Sequence, residues 1–152
     1  MFDYRGTNTK MIMAVDMANL LMQNHADFHK VISEHPQFEM TDVASEDIMS
    51  FMLERFNNKV QEVRLKRYWF WSKAIASFHP KYPNRISLNS RKLNRSLDSI
   101  VGTLLHEHVH LVDNFYQGAS FGHGGNSPGG KEGTCPYRVG QLAKEHCIKH
   151  ID

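Results

Sequence analysis

The stretch Ser96-Leu97-Asp98-Ser99-Ile100-Val101-Gly102-Thr103-Leu104-Leu105-His106-Glu107-His108-Val109-His110-Leu111-Val112-Asp113-Asn114-Phe115 decides how this chain is read. Its apolar residues recur at three- and four-residue spacing, Ser96 stands where a helix N-cap belongs, and Gly118 follows as a stop. At about 100° per residue, His110 falls about 40° from His106 and Glu107 about 100°, so two imidazoles and a carboxylate share one side of the helix. Leu97, Ile100, Val101, Leu104, Leu105, Leu111, Val112 and Phe115 fall between about 120° and 260° from His106 and form the core side. His108, at about 200°, lies inside that apolar arc and is expected to be a hydrogen-bonded core histidine, not a ligand.

The sequence His106-Glu107-His108-Val109-His110 matches HExxH, in which two histidines four apart reach one ion from a single helix. Zinc suits this arrangement because a catalytic ion takes three protein ligands and keeps one position for water, whose pKa falls towards about 7. Glu107 is then the general base that accepts the proton of that water. The third ligand comes from elsewhere. His123, in Gly122-His123-Gly124-Gly125, is preferred, since flanking glycines let a loop fold back towards the helix. Asp113 and Glu132 compete for the place, and Asp113, at about 340° on the helix, also suits an outer acceptor for a ligand's N–H. The extended pattern HExxHxxGxxH does not apply, because Asp113 and Tyr116 hold its last two positions.

HExxH followed by a Gly-His-Gly loop resembles the SprT-like (Spartan-related) zinc metallopeptidases. The resemblance covers residues 86–126, and the CxxC pairs that some members carry are absent. It implies an α+β fold, a single zincin-like domain over residues 1–152 with a small mixed sheet and an active-site helix. It further implies His106, His110 and His123 as Zn2+ ligands, Glu107 as catalytic base, and hydrolysis of peptide bonds in a protein substrate. For the oxyanion of the tetrahedral intermediate, Tyr137 in the loop region after His123 is the preferred donor, with Arg138 as alternative and Tyr116 behind it.

Around this centre, the 152 residues fit one domain, and 41% hydrophobic with 22% charged residues exclude collagen-like, disordered and coiled-coil classes. The opening MFDYRGTNTK lacks the apolar run of a secretory signal, and no segment reaches the roughly 20 apolar residues of a membrane span. Two cysteines, Cys135 and Cys147, are too few for a disulfide scaffold. The expectation is a soluble, cytoplasmic protein with no membrane partner. Met11 to Ile32 reads as helix with a break near Asn24, ended by Pro36. A second helix is expected from Ser45, its hydroxyl as cap, to Asn57-Asn58. Val63–Phe70, Ala74–Phe78 and Arg85–Leu88 read as strands, and Val139–His150 as a last short helix.

Charge is uneven along the chain. Residues 1–63 carry five Lys/Arg against ten Asp/Glu, whereas residues 64–95 carry nine Lys/Arg and no acid, half of all basic charge. Tyr68, Trp69, Phe70, Trp71, Phe78 and Tyr82 interleave with those cations, a mixture that can stack bases and neutralise phosphates. A second function follows: single-stranded DNA binding through residues 64–95, alone or combined with proteolysis. The competing reading, favoured here, buries the aromatics in the core and makes the cations edge-strand charges beside the substrate cleft, where an extended peptide can pair. His25 and His29 read as helix surface, and Cys135, His146, Cys147 and His150 fit no firm zinc pattern. The methionines, several within the first 52 residues, suit an adaptable binding face or core filling equally.

Overall fold

The helical segment at the start of the chain does break where its periodicity weakens. In a computed structural model, which describes residues 1–116, 120–123 and 131–148, helix α1 spans Thr9–Asn24 and α2 spans Ala26–Ser33. Asn8 caps α1 by accepting from the Met11 amide at 3.1 Å, and His25 caps α2 through Nδ1, which accepts from the Phe28 amide at 3.0 Å. A side-chain acceptor at each start satisfies an amide that the helix leaves unpaired. His25 is therefore a half-buried cap, and His29 is half-buried with Nε2 2.9 Å from the Leu21 carbonyl, so neither is plain helix surface.

Helix α3 covers Ser45–Asn58 and stops at the expected asparagines, but Ala44 occupies the cap position. Ser45 is the first helical residue; its hydroxyl is buried and has no partner, so the expected cap does not form. Four strands follow the chain as β1 Phe2–Asp3, β2 Gln61–Lys66, β3 Ala76–Phe78 and β4 Arg85–Asn89. They form one mixed sheet in the order β1-β2-β4-β3, with β2 parallel to β1 and β4, and β3 antiparallel to β4. Strand β2 ends at Lys66, short of the expected Phe70, because its partner Asn89 is the last residue of β4 and no ladder remains beyond it. The aromatic run turns instead, with the Ser72 amide donating to the Trp69 carbonyl at 2.9 Å.

The inner face of the sheet carries Phe2, Val63, Ile86 and Leu88, all buried, and packs on helix α4, Leu97–Phe115. Ile100, Val101, Leu104, Leu105, Leu111 and Val112 of α4 are fully or almost fully buried, as the helical phase requires. Each such side chain contributes roughly 1.5–3 kcal/mol relative to exposure. Phe115 departs from the expected arc: it is half-exposed, with the Arg55 guanidinium 4.4 Å from its ring centre. Ser96 holds the N-cap position without a side-chain hydrogen bond, and Tyr116 is the C-cap; Gly118 lies outside the described residues.

Helix α5, Cys135–Ile148, begins four residues before the expected Val139. It lies antiparallel along α4, and the two backbones meet at Gly102 and Gly140. A Cβ on Gly102 would stand 2.5 Å from the Gly140 carbonyl oxygen, and one on Gly140 2.8 Å from the Gly102 oxygen. Only two residues without side chains allow so close a crossing, and it fixes α5 beside the HExxH turn. Met11, Met22, Met49 and Met52 are buried and fill the core. Cys135 and Cys147 are free thiols, both buried. Among the described residues, no helix is long and apolar enough to cross a membrane.

Candidate metal centre

Three histidines converge on one point. His106 and His110 project from α4, and the segment 120–123 brings His123 back over them. His110 Nε2 lies 3.2 Å from His106 Nε2 and 2.8 Å from His123 Nε2. Nitrogens bound at about 2.05 Å in tetrahedral geometry stand about 3.3 Å apart, so these spacings suit a single zinc-sized ion. Among the described residues, this is the group of His, Cys, Asp and Glu side chains close enough to hold a metal.

The protonation states agree with ligand chemistry. Burial, together with the neighbouring rings of His110 and His123, pushes His106 down to about 3. Burial and His123 push His110 down to about 4. Neutral imidazoles with free lone pairs are the form that binds metal. His106 also bonds the Pro136 backbone at the start of α5, which orients its ring.

Asp113 positions the third histidine without joining the cluster. Its Oδ1 accepts from the Phe121 amide at 2.7 Å, and the Thr41 hydroxyl donates to the Ser120 carbonyl at 2.7 Å. Phe121 is fully buried and stacks on Phe51. Gly122 has to be small here, because a Cβ would stand 2.8 Å from Asp113 Oδ2. Glu132 is exposed and outside the cluster. Of the three candidate third ligands, His123 is the one the fold brings to the histidine pair, and the glycines at 124 and 125 lie outside the described residues.

Glu107 is buried at the same place, 8% exposed. Burial pushes its carboxyl up to about 7, while a hydrogen bond from the backbone of Phe78 in β3 acts against the rise. A proton acceptor poised near neutral pH is what general-base work requires. Tyr137 stands beside the cluster, its ring centre 4.7 Å from that of His106 and 5.1 Å from that of His123. It belongs to the first turn of α5, not to a loop as expected. The alternatives point elsewhere: Arg138 is outside the cleft and its charge acts on His35, and Tyr116 bonds Glu54 and stacks on Phe51.

These five groups, His106, His110, His123, Glu107 and Tyr137, open into a cleft of about 830 Å³. Helix α4 is its floor, α5 one wall and β3 the other. β3 is the edge strand beside the site, a correction to the expectation that the Val63–Phe70 strand would take that role; β2 is interior to the sheet. Gly102, Gly140 and Pro136, and the backbone role of Phe78, escape the sequence reading. A glycine in the middle of each of two packed helices is the signal that was present for the first pair.

His108 is a core histidine, as its phase predicts. Nδ1 lies 2.8 Å from the Gln61 side-chain amide and Nε2 3.1 Å from the Met52 carbonyl. Complete burial pushes it down to about 3. Of the residues that fit no firm zinc pattern, His146 bonds the Leu142 carbonyl and packs on His25 and Phe28, and His150 lies outside the described residues. The basic segment divides. Arg64 and Arg85 both pair with Glu62, whereas Trp69, Phe70 and Trp71 are 72%, 73% and 65% exposed. These three aromatics are therefore surface, not core. No protein-family model, curated protein or solved structure matches this chain.

Proposed function

We propose that this chain is a zinc-dependent metallopeptidase of the SprT-like kind, with the helix–edge-strand arrangement of a zincin. The observation that carries the reading is the convergence of three imidazole nitrogens, spaced 3.2 and 2.8 Å, on a cleft that also holds the buried Glu107. His106, His110 and His123 hold the ion, and a bound zinc supplies Lewis-acid polarisation of a carbonyl and acidification of water. Glu107 takes the proton of the attacking water and returns it to the leaving amine, held in place by the Phe78 amide. Tyr137, in ring contact with two of the three histidines, donates its hydroxyl to the developing oxyanion. The outer edge of β3 supports an extended peptide by backbone pairing.

Elemental mass spectrometry of protein purified without chelators is expected to give about one zinc per chain. Glu107→Gln should retain the metal and lose peptide hydrolysis by about 10²-fold or more. Retained hydrolysis by this variant refutes the mechanism, and absence of metal even after zinc addition refutes the site.

A second reading rests on the Trp69-Phe70-Trp71 surface. Trp69 and Trp71 stack with ring centres 5.2 Å apart, and Lys66, Arg67 and Lys73 flank them without ion pairs among the described residues. Such a surface suits single-stranded DNA, alone or alongside the peptidase. Binding that falls steeply with salt, and weakens by about 1–3 kcal/mol on Trp71→Ala, supports it. Salt-insensitive or absent binding refutes it.

A further inference from the structure

The cleft extends well past the metal cluster, and its far end is cationic. Tyr137, Gln141 and Lys144 recur on one face of α5 and line it, opposite Ser99, Gly102, Thr103 and His106 of α4. Because the helices run antiparallel, Tyr137 stands at His106 and Lys144 stands back over Gly102. The Lys144 stem passes directly over Gly102: a Cβ on Gly102 would meet its Cγ at 2.6 Å and its Cδ at 3.1 Å. A second cation underlies the same end, where Arg95 Nη1 bonds Thr103 Oγ1 at 2.9 Å and Ser99 Oγ at 3.1 Å. Lys73 lines the cleft from the segment before β3.

Among the described residues, Lys73, Lys144 and Arg95 form no ion pair. The nearby carboxylates are used elsewhere. Glu145 accepts from Gln141 Nε2 at 3.0 Å, Asp98 acts on Cys147, and neither lines the cleft. Asp113, which does line it, holds the Phe121 amide. The cleft thus offers an ammonium at a distance from the reacting centre that makes no ion pair with a carboxylate among the described residues. About 10 Å of helix rise separates Tyr137 from Lys144, the span of about three residues of an extended peptide.

We propose that this end of the cleft is a carboxylate-recognising subsite, with Lys144 as its specificity-determining residue, so that the substrate is a peptide segment bearing Asp or Glu two to three residues from the scissile bond. The proposal rests on the peptidase reading for the identity of the substrate as a peptide, and on the cleft's own charge for the preference.

The test uses the zinc-loaded 152-residue chain and alanine-based peptides of about eight residues, in which Glu, Gln or Lys is moved one position at a time. Cleavage rate and binding by fluorescence anisotropy are both read. At one position, the Glu peptide should be favoured over its Gln counterpart by about tenfold, which corresponds to about 1.4 kcal/mol. Lys144→Met, which keeps the stem against Gly102 and removes the charge, should bring that ratio close to one. Lys144→Glu should transfer the preference to the Lys peptide. Cleavage without any Glu preference, or a preference that survives Lys144→Met, overturns the subsite and leaves the peptidase reading standing. If no peptide is cut, the peptidase reading falls and anisotropy decides the subsite alone. Glu-selective binding that depends on Lys144 then upholds it, and equal or absent binding overturns it.

Discussion

Gly102→Ala isolates the contact that sets α5 against the HExxH helix. In an open helix this change stabilises by about 1 kcal/mol, because alanine restricts the unfolded backbone and glycine does not. Here the new methyl would lie 2.5 Å from the Gly140 carbonyl oxygen and 2.6 Å from Lys144 Cγ. The lysine stem can swing aside, but the carbonyl belongs to a helix backbone and cannot. Relief to an ordinary contact of about 3.4 Å requires the helices to part by nearly 1 Å, and overpacking of this kind costs about 1–3 kcal/mol. With a rigid neighbour the cost lies in the upper half of that range, so the net effect is a loss of about 1–2 kcal/mol.

Urea unfolding of the metal-free protein measures that loss, and the thermal midpoint should fall by about 3–6 °C for a domain of this size. Zinc titration on the same variant reports the site, since His106 follows Gly102 by one turn and bonds the Pro136 backbone at the start of α5. Affinity should therefore fall together with stability. Gly140→Ala, with its nearest backbone contact at 2.8 Å, should lose less. One separation of the helices relieves both clashes, so the double variant should lose less than the sum of the singles. A rise in stability of about 1 kcal/mol on Gly102→Ala, the value for an unobstructed helix, would refute the close crossing.

Asp113→Ala removes the acceptor that holds the Phe121 amide, and zinc affinity measured by competition with a chromophoric chelator should fall about 10–100-fold; unchanged affinity would show that His123 needs no anchor. In the metal-free protein, stability should decline on acidification below about pH 6.5. The sign follows from His108: its folded pKa is pushed down to about 3, so its contribution is complete above the unfolded value of about 6.5 and is lost as pH falls towards 3. One buried histidine gives a slope of up to about 1.4 kcal/mol per pH unit, and His106 and His110 add slopes of the same sign. Urea unfolding from pH 7.5 to 5.5 should show His108→Gln with a slope smaller by up to one proton; equal slopes would mean that His108 is not held neutral.

How far the fold could be read in advance depended on whether one element carried its own instructions. The phase of α4 separated its core face from its site face, because periodicity and burial act on the same helix. The break before α2 showed as weakened periodicity, although the reason, His25 acting as a cap, did not. Strand β2 was read too long because Val63 and Leu65 alternate correctly, whereas its end is set by Asn89, the last residue of a strand later in the chain. Alternation says which face a residue takes; it says nothing about when the partner runs out. Phe115 and the Trp69-Phe70-Trp71 run were misread for a related reason. Apolar character predicts burial only where a neighbour exists to cover it, and coverage is a tertiary fact.

The same distinction explains why the clustered histidines were legible and their supports were not. His106 and His110 follow from spacing on one helix, and His123 from a glycine-flanked histidine near in sequence. Yet the cluster is only as exact as what holds it: Asp113 on the Phe121 amide, Pro136 on His106, and Phe78 on Glu107. These come from three separate parts of the chain, and two act through backbone groups, which no residue type announces. The geometry of this site is therefore a property of the packing of α4 against β3 on one side and α5 on the other. A change at Gly102 or Gly140, neither of which can bind a metal, reaches the centre through that packing, whereas a change at an exposed residue such as Glu132 does not.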